Sequence, residues 1–161
     1  MAFDPLAVLQ ALVDGGVRFV VIGGIAGAIH GSPTVTGDLD VCPERSDANL
    51  DRLASVLRAL NARLRGAPAD VPFVLDGRTL HAGDHFTFAT DLGDVDCLGT
   101  PSGTAGYDDL RAGAEEVDLD GLVVPVASLE DLMRMKRAAG RPKDRIELEV
   151  LGALRDERDS R

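Results

Sequence analysis

The chain has 161 residues, of which 45% are hydrophobic, 27% charged and 4% aromatic, a composition that excludes disordered, collagen-like and coiled-coil proteins. That length holds one domain with a single core. With 17 basic and 27 acidic residues the formal net charge is −10, which makes a general nucleic-acid-coating function a poor hypothesis. The charge is uneven, because residues 1–128 carry 8 basic and 19 acidic side chains and residues 129–161 carry 9 and 8. Such an acidic body suits a divalent metal ion, a basic partner or plain solubility.

Cysteine content and hydropathy predict the compartment. Cys42 and Cys97 could form one disulfide at most, too few for a disulfide framework or a thiolate metal cage. Magnesium prefers oxygen ligands, so both cysteines are interpreted as small core residues. No stretch approaches about eighteen apolar residues, and the first residues lack the pattern of a secretory signal. We therefore expect a cytoplasmic protein without a membrane partner.

The first elements are predicted from caps and periodicity. Asp4 is an N-cap followed by Pro5, and an apolar stripe predicts a helix that ends at Gly15-Gly16. Residues 17–22 are apolar on both faces, which is typical of a strand buried on two sides. A short helix over residues 25–30 follows. Residues 36–41 alternate polar and apolar side chains, which predicts a strand with Asp38 and Asp40 on one face.

Four further helices and five further strands are predicted downstream. Ser46 or Asp47 caps the first of these helices, which runs to Leu60, and Ser128 caps another. Asp120-Gly121 predicts a two-residue hairpin turn. The remaining predictions are a loop or linker at 66–72, strands at 73–75, 85–89, 95–98, 117–119 and 122–124, a helix at 107–114 and a terminal helix after 140–142.

These elements predict an α/β (α+β) protein in which helices back a small mixed, twisted sheet. Residues 1–127 form the predicted core, and residues 128–161 form a two-helix C-terminal extension of the same domain. We expect the acidic site described next to lie at the sheet edge.

Carboxylates on two predicted strands form the most informative pattern. Asp38 and Asp40 are spaced i, i+2, so their Cβ atoms lie about 7 Å apart on one face and can reach one cation. A later strand carries Asp94 and Asp96 on one parity, and Asp96 is the favoured third ligand with Asp94 as the alternative. Three such carboxylates can hold two Mg²⁺ ions about 3.5–4 Å apart, the arrangement that clamps both oxygens of a phosphoryl displacement. Mn²⁺ could replace Mg²⁺ in this set.

Small and hydroxyl residues between the strands suit a phosphate group. Gly23 and Gly24 end the first strand, where a glycine turn lets the backbone approach a ligand and the next helix offers its amides. Ser32 and Thr34 could add a hydroxyl donor. An Asp-x-Asp pair is common on solvent-exposed faces and a Gly-Gly pair is common in turns. The prediction of a metal and phosphate site therefore depends on finding both pairs in this order.

In this order the residues resemble the DNA polymerase beta-like nucleotidyltransferase superfamily, which includes minimal bacterial enzymes of toxin–antitoxin systems. The resemblance to AbiEii toxin-like proteins spans about residues 17–150 and rests on several segments. These are Gly23-Gly24-Ile25-Ala26, His30-Gly31-Ser32-Pro33, Thr36-Gly37-Asp38-Leu39-Asp40, and Lys136 followed by Arg141-Pro142-Lys143-Asp144. Many relatives also carry an Arg between the Pro and the Thr before the aspartate pair, where this chain has Thr34-Val35, so the phosphate contact of such an Arg is not expected.

The resemblance implies a nucleotidyltransferase that binds ATP or another nucleoside triphosphate with Mg²⁺ and moves a nucleoside monophosphate to an acceptor hydroxyl. Position by position, it implies Asp38, Asp40 and Asp96 as catalytic metal ligands and Gly23 and Gly24 as the phosphate turn. It also implies Lys136 as a contact to the triphosphate. Asp96 would additionally help deprotonate the acceptor.

The acceptor and the partners stay open at this point. A tRNA end, a protein hydroxyl and a small molecule such as an aminoglycoside all fit the chemistry, although the acidic surface disfavours RNA. A homodimer would supply further pocket walls. The alternative is a nucleotide-binding or partner-regulating toxin–antitoxin component without turnover. His30 is interpreted as a local packing residue rather than a nucleotide contact, and His85 as a surface residue rather than a general base.

Overall fold

The computed structural model describes residues 2–68 and 70–161, in which one mixed sheet of seven strands is packed between helices. The strands are β1 (Phe19–Ile22), β2 (Asp38–Pro43), β3 (Arg63–Leu64), β4 (His85–Thr90), β5 (Gly93–Leu98), β6 (Glu115–Leu119) and β7 (Leu122–Val126). The helices are α1 (Pro5–Asp14), α2 (Gly23–Ile29), α3 (Asp47–Ala59), α4 (Gly77–Ala82), α5 (Tyr107–Gly113), α6 (Leu129–Ala139) and α7 (Pro142–Asp159). The predicted α/β class is confirmed.

The strand order is β3-β4-β5-β2-β1-β7-β6, so β2 is the central strand. It pairs antiparallel with β1 and parallel with β5, while β4 pairs antiparallel with β5. Both strands that carry the predicted metal ligands are therefore interior strands. The expectation that the acidic site lies at the sheet edge is wrong, because residues 85–90 and 63–64 add two strands outside β5.

Side-chain caps and left-handed residues set the element boundaries. Asp4, Ser46 and Ser128 accept hydrogen bonds from backbone N–H groups three residues ahead and begin α1, α3 and α6 as predicted. Gly140 has φ +68° and ends α6, with its N–H donating to the Lys136 carbonyl. The predicted hairpin turn is confirmed at Asp120-Gly121, whose φ angles of +55° and +93° match a two-residue turn.

The core lies on both faces of the central strands. All four residues of β1 are buried, and α1, α3 and the helices α6 and α7 contribute apolar side chains to the same cluster. Its largest fully buried members are Phe88, Leu9, Leu12, Leu39, Leu53, Leu57, Leu110 and Leu151. Among residues 2–68 and 70–161, none of the helices combines the length and apolar character that crossing a bilayer requires.

Two regions depart from the sequence-based elements. Residues 73–75 are extended but pair with no strand in the described chain, and Phe73 instead packs its ring 6.3 and 6.2 Å from Phe86 and Phe88. The predicted strand is therefore wrong, because an apolar run satisfies core packing without joining the sheet. The two-residue β3 and the six-residue α4 were not predicted, since neither is long enough to show a period.

Candidate active site

The parallel register of β2 and β5 brings the carboxylates together. Asp38 lies opposite Asp94 and Asp40 opposite Asp96, so all four side chains start from one face of two adjacent strands. One oxygen each of Asp38, Asp40 and Asp96 lies within 4.8 Å of the other two. Asp94 does not belong to this group. The geometry therefore places Asp96, the favoured residue of the two, beside the aspartate pair.

Glycine is required where β1 runs into α2. Gly23 has φ +68°, and a Cβ at this position would overlap the Asp40 carboxylate. A Cβ at Gly24 would lie 2.8 Å from the Cβ of Thr36. Because β1 and β2 are antiparallel, the end of β1 meets the start of β2, and the glycine turn packs directly on the carboxylates. The α2 helix begins at Gly23, two residues earlier than predicted.

Replacing Gly23 with Ala is expected to push the Asp40 side chain out of the carboxylate group and to cost about 2 kcal/mol of unfolding free energy, because both the overlap and the positive φ oppose a side chain. Binding of Mn²⁺, followed by isothermal titration calorimetry, should weaken at least about tenfold. Gly37→Ala is the matched control, since a Cβ at Gly37 has no neighbour within 4 Å. Equal effects of the two substitutions would contradict the assigned role of the turn.

Asp40 is the most perturbed carboxylate of the group. Its Oδ1 is buried and has no hydrogen-bond partner among residues 2–68 and 70–161. Burial, reinforced by the negative charges of Asp38 and Asp96, raises the pKa of Asp40 to about 7. Burial also raises the pKa of Asp96, against the opposing effect of Arg65. A buried carboxylate oxygen without a partner, beside two more carboxylates, fits a hard divalent cation that takes oxygen ligands.

Sequence reasoning missed Arg65, the cation nearest to these carboxylates. Its Nη2 lies 2.9 Å from Asp96 Oδ1 and its Nη1 lies 3.2 Å from Asp94 Oδ2. Arg65 directly follows the two-residue β3, in a segment for which no element is predicted, between the helix that runs to Leu60 and the loop at 66–72. The alternation Arg63-Leu64-Arg65 was the available signal, but three residues are too few to predict a strand.

Lys136 of α6 and Arg141, the residue before α7, form a basic cluster that lines the same cleft as the carboxylates. The fully buried Asp144 carboxylate accepts hydrogen bonds from Lys136 Nζ at 3.3 Å and from Arg141 Nε at 2.6 Å. Arg141, together with Lys136, lowers the pKa of Asp144 to about 2. Asp144 therefore stays ionised and holds both cations in fixed positions at the mouth of the site.

A cleft of about 390 Å³ lies between the carboxylates and the basic cluster. Ser32 Oγ and Thr34 Oγ1, the two predicted hydroxyl donors, both donate to Glu147 of α7, at 2.9 and 2.6 Å. They tie the loop before β2 to the last helix. Residues that line the cleft include Gly23, Gly24, Thr34, Thr36, Asp38, Asp40, His85, Asp96, Lys136, Arg141, Lys143 and Glu147.

The other residues singled out in the sequence lie as follows. His30 is directed away from this cleft, with Nε2 2.8 Å from the Ala127 carbonyl, in agreement with a packing role. His85 is exposed, on the rim of the cleft. Cys42 and Cys97 are buried and free, and burial raises the pKa of both thiols to about 12. The thiols are therefore neutral core groups, as interpreted.

Comparison with known structures identifies the fold. No family model and no curated protein matches the chain by sequence. The lincomycin-bound crystal structure of the lincosamide antibiotic adenylyltransferase LnuA is similar over 93% of this chain and 95% of its own, with a TM-score of 0.64 and 11% identity. A candidate nucleotidyltransferase of Thermotoga maritima, TM1012, is similar over 98% and 91% of the two chains, with a TM-score of 0.57 and 18% identity.

A third similar structure is ANT(2'')-Ia in complex with adenylyl-2''-tobramycin. It covers 95% of this chain and 93% of its own, with a TM-score of 0.56 and 15% identity. Because the similarities extend over nearly the full length of each chain, the protein has the complete nucleotidyltransferase fold. The predicted fold is confirmed at this level.

Proposed function

We propose that the protein is a magnesium-dependent nucleotidyltransferase that moves a nucleoside monophosphate from a nucleoside triphosphate to an acceptor hydroxyl. The observation that carries the proposal is the group formed by Asp38, Asp40 and Asp96, which faces a basic cluster across one cleft. Binding of a triphosphate requires both the carboxylates and the basic cluster, because divalent cations bind some of its oxygens and basic side chains bind the others. The nucleotidyltransferase fold supports the same reaction.

The three carboxylates would hold one or two Mg²⁺ ions, with Mn²⁺ as a substitute, through oxygens that hard cations prefer. When bound, such ions supply charge stabilisation to the attacking and leaving oxygens of an in-line displacement. Asp38 is oriented for this role by Thr36, whose Oγ1 donates to Asp38 Oδ1 at 3.1 Å. The Asp40 carboxylate occupies the space that a Cβ at Gly23 would take, so its position depends on glycine there.

On the opposite side, Lys136 and Arg141 would bind the phosphates. Both are fixed by Asp144, so little side-chain entropy is lost when they meet the triphosphate. The Gly23-Gly24 turn allows close approach of the nucleotide. Ser32 and Thr34 can donate to a phosphate only after they leave Glu147, which makes their predicted contact dependent on nucleotide binding.

Asp96 is the proposed acceptor of the proton that leaves the acceptor hydroxyl. The new bond joins that oxygen to the α-phosphorus, the bond to the bridging oxygen breaks, and pyrophosphate departs. Lys136 and Arg141 would stabilise the charge that develops on the departing pyrophosphate.

Asp96→Asn is expected to lower transfer at least about 10³-fold, whereas Asp94→Asn should lower it less than about tenfold. The two residues share a strand and a face, and both contact Arg65, but only Asp96 belongs to the carboxylate group. Initial rates with saturating nucleotide measure the difference. A larger loss in Asp94→Asn would show that the third ligand is misassigned.

We further propose a small-molecule acceptor and an adenylyl donor. One similar structure is a lincosamide antibiotic adenylyltransferase bound to lincomycin, and another is ANT(2'')-Ia in complex with adenylyl-2''-tobramycin. Both support this choice over a tRNA or a protein hydroxyl. The net charge of −10 also disfavours RNA. A homodimer would enlarge the acceptor pocket. The two free thiols support the prediction of a cytoplasmic protein.

The test incubates purified protein and Mg²⁺ with each α-³²P-labelled nucleoside triphosphate, and presents aminoglycosides, lincosamides, bulk tRNA and cell lysate as separate acceptors. The Asp38→Asn/Asp40→Asn double variant is the control. Label that moves to a small molecule with the parent protein only would support both parts of the proposal. Label on tRNA or protein would overturn the acceptor class, and no transfer to any acceptor, with nucleotide binding intact, would favour a regulatory component of a toxin–antitoxin pair.

A further inference from the structure

Arg65 belongs to a row of side chains that runs across the sheet. Leu64 lies opposite Phe88, and continuing this register places Arg65 opposite Thr87, to whose carbonyl its N–H donates at 2.9 Å. Thr87 lies opposite Asp96, which in turn lies opposite Asp40. Opposite residues share one face of a sheet. Arg65 therefore reaches over Thr87 to Asp94 and Asp96 from the β3 side of the sheet.

The guanidinium compensates only part of the negative charge on this face. Its Nη2 donates a hydrogen bond to Asp96, its Nη1 forms an ion pair with Asp94 at 3.2 Å, and its side chain is about one third exposed. Asp38 receives a neutral hydroxyl donor from Thr36, and Asp40 Oδ1 receives none. The Asp38–Asp40 side of the group is thus free to accept a cation, while one Asp96 oxygen is already engaged by a cation of the protein itself.

We propose that Arg65 is the resident counter-ion of Asp96, and that it competes for this carboxylate with a divalent cation held by Asp38, Asp40 and Asp96. This counter-ion role of Arg65 rests on the metal site of the proposed function. A guanidinium and a divalent cation on one carboxylate repel each other at short range. Asp94 makes the exchange less costly, because Arg65 retains Asp94 as a partner when it leaves Asp96.

The prediction is that Arg65 weakens metal binding. Mn²⁺ is titrated into the protein at pH 8, and the free ion is followed by electron paramagnetic resonance. Arg65→Gln should bind Mn²⁺ about tenfold more tightly than the parent, with no nucleotide or acceptor present. Arg65→Lys should fall between them at roughly threefold, since a point charge cannot bridge two carboxylates as a guanidinium does.

Arg63→Gln is the matched control. Arg63 lies two residues earlier, in β3, is exposed, and forms no ion pair with any residue in ranges 2–68 and 70–161. Its loss removes the same charge without a carboxylate contact, so Mn²⁺ affinity should change less than about twofold. Thermal unfolding of each variant confirms that the compared proteins are folded, and Arg65→Lys carries the test if the glutamine variant does not fold.

The outcomes separate the two proposals. If the parent binds Mn²⁺ and Arg65→Gln binds it equally or more weakly, Arg65 does not compete with the metal and the inference fails alone. An equal gain in Arg63→Gln would also overturn it, because the effect would then follow from net charge. If the parent does not bind Mn²⁺ at all, the result contradicts the metal site of the proposed function and, with it, the competing role of Arg65.

Discussion

Asp40→Asn should abolish nucleotidyl transfer and, at the same time, make the metal-free protein more stable. The loss of rate, at least about 10³-fold, follows from removing a central carboxylate of the metal group. The gain arises because the native fold holds this carboxylate half-buried, with its buried Oδ1 unpartnered among the described residues, against two like charges. A neutral amide removes that repulsion. We expect about 2 kcal/mol more unfolding free energy at pH 8 in EDTA, or about 5 °C in Tm.

The pH dependence of this gain has a definite sign. The pKa of Asp40 is about 7 in the folded chain and near 3.8 in an unfolded one, so the native state favours the protonated carboxyl. Its contribution to stability is fully present below about pH 4 and is lost as the pH rises to about 7. The advantage of Asp40→Asn should therefore be absent at pH 4, grow up to pH 7 and stay constant above it. Urea unfolding at several pH values measures this profile.

Asp94→Asn is the control for both readouts. Asp94 lies on the same face, but Arg65 already compensates its charge, so an amide there should neither raise the stability nor abolish transfer. An Asp40→Asn protein that is less stable than its parent at pH 8, with an unchanged pH profile, would show that Asp40 carries no electrostatic strain. Full transfer activity in that variant would remove Asp40 from the catalytic group.

Lys136→Ala is expected to lower kcat/KM for the nucleotide about 100-fold, equivalent to about 2.7 kcal/mol of transition-state stabilisation. Lys136 lines the cleft opposite the carboxylates and is aligned by the buried Asp144. Because pyrophosphate gains charge as it leaves, part of the loss should appear in kcat and not only in KM. Steady-state kinetics with varied nucleotide, at saturating Mg²⁺ and acceptor, separates the two constants.

The neighbouring Arg137 provides the control for that substitution. It is exposed on the last turn of α6 and does not line the cleft, so Arg137→Ala removes one positive charge from the same helix without touching the proposed nucleotide site. We expect a change of less than about twofold. Equal losses in the two variants would mean that Lys136 acts through general charge and makes no direct contact.

Much of the fold was predictable because its signals are local. The caps at Asp4, Ser46 and Ser128 and the turn at Asp120-Gly121 each involve residues that are neighbours in sequence, and all are confirmed. The two-residue β3 and the six-residue α4 were missed, because two residues show no alternation and six residues span less than two helical turns. The strand order could not be predicted, because it depends on pairing between residues that are far apart in sequence. For this reason the site was wrongly expected at the sheet edge.

The candidate site was also predictable only in part, because some of its residues are brought together by tertiary contacts. Asp38 and Asp40 follow from spacing on one strand, and Asp96 from a second acidic strand, but their common register depends on β5 pairing with β2 in parallel. The partners of Ser32 and Thr34 could not be foreseen, because Glu147 comes from a helix more than one hundred residues later. Arg65 was missed for a similar reason, since it meets Asp96 only after β4 is inserted between them.

The parallel pairing of β2 with β5 also has a kinetic consequence. Residues 41–95 lie between the paired carboxylates, so the site forms only after a long stretch of chain has closed on itself. Contacts of such large sequence separation tend to slow folding. A cation held by carboxylates of both strands would bind only the folded chain. It would therefore act mainly by lowering the unfolding rate and would change the folding rate little.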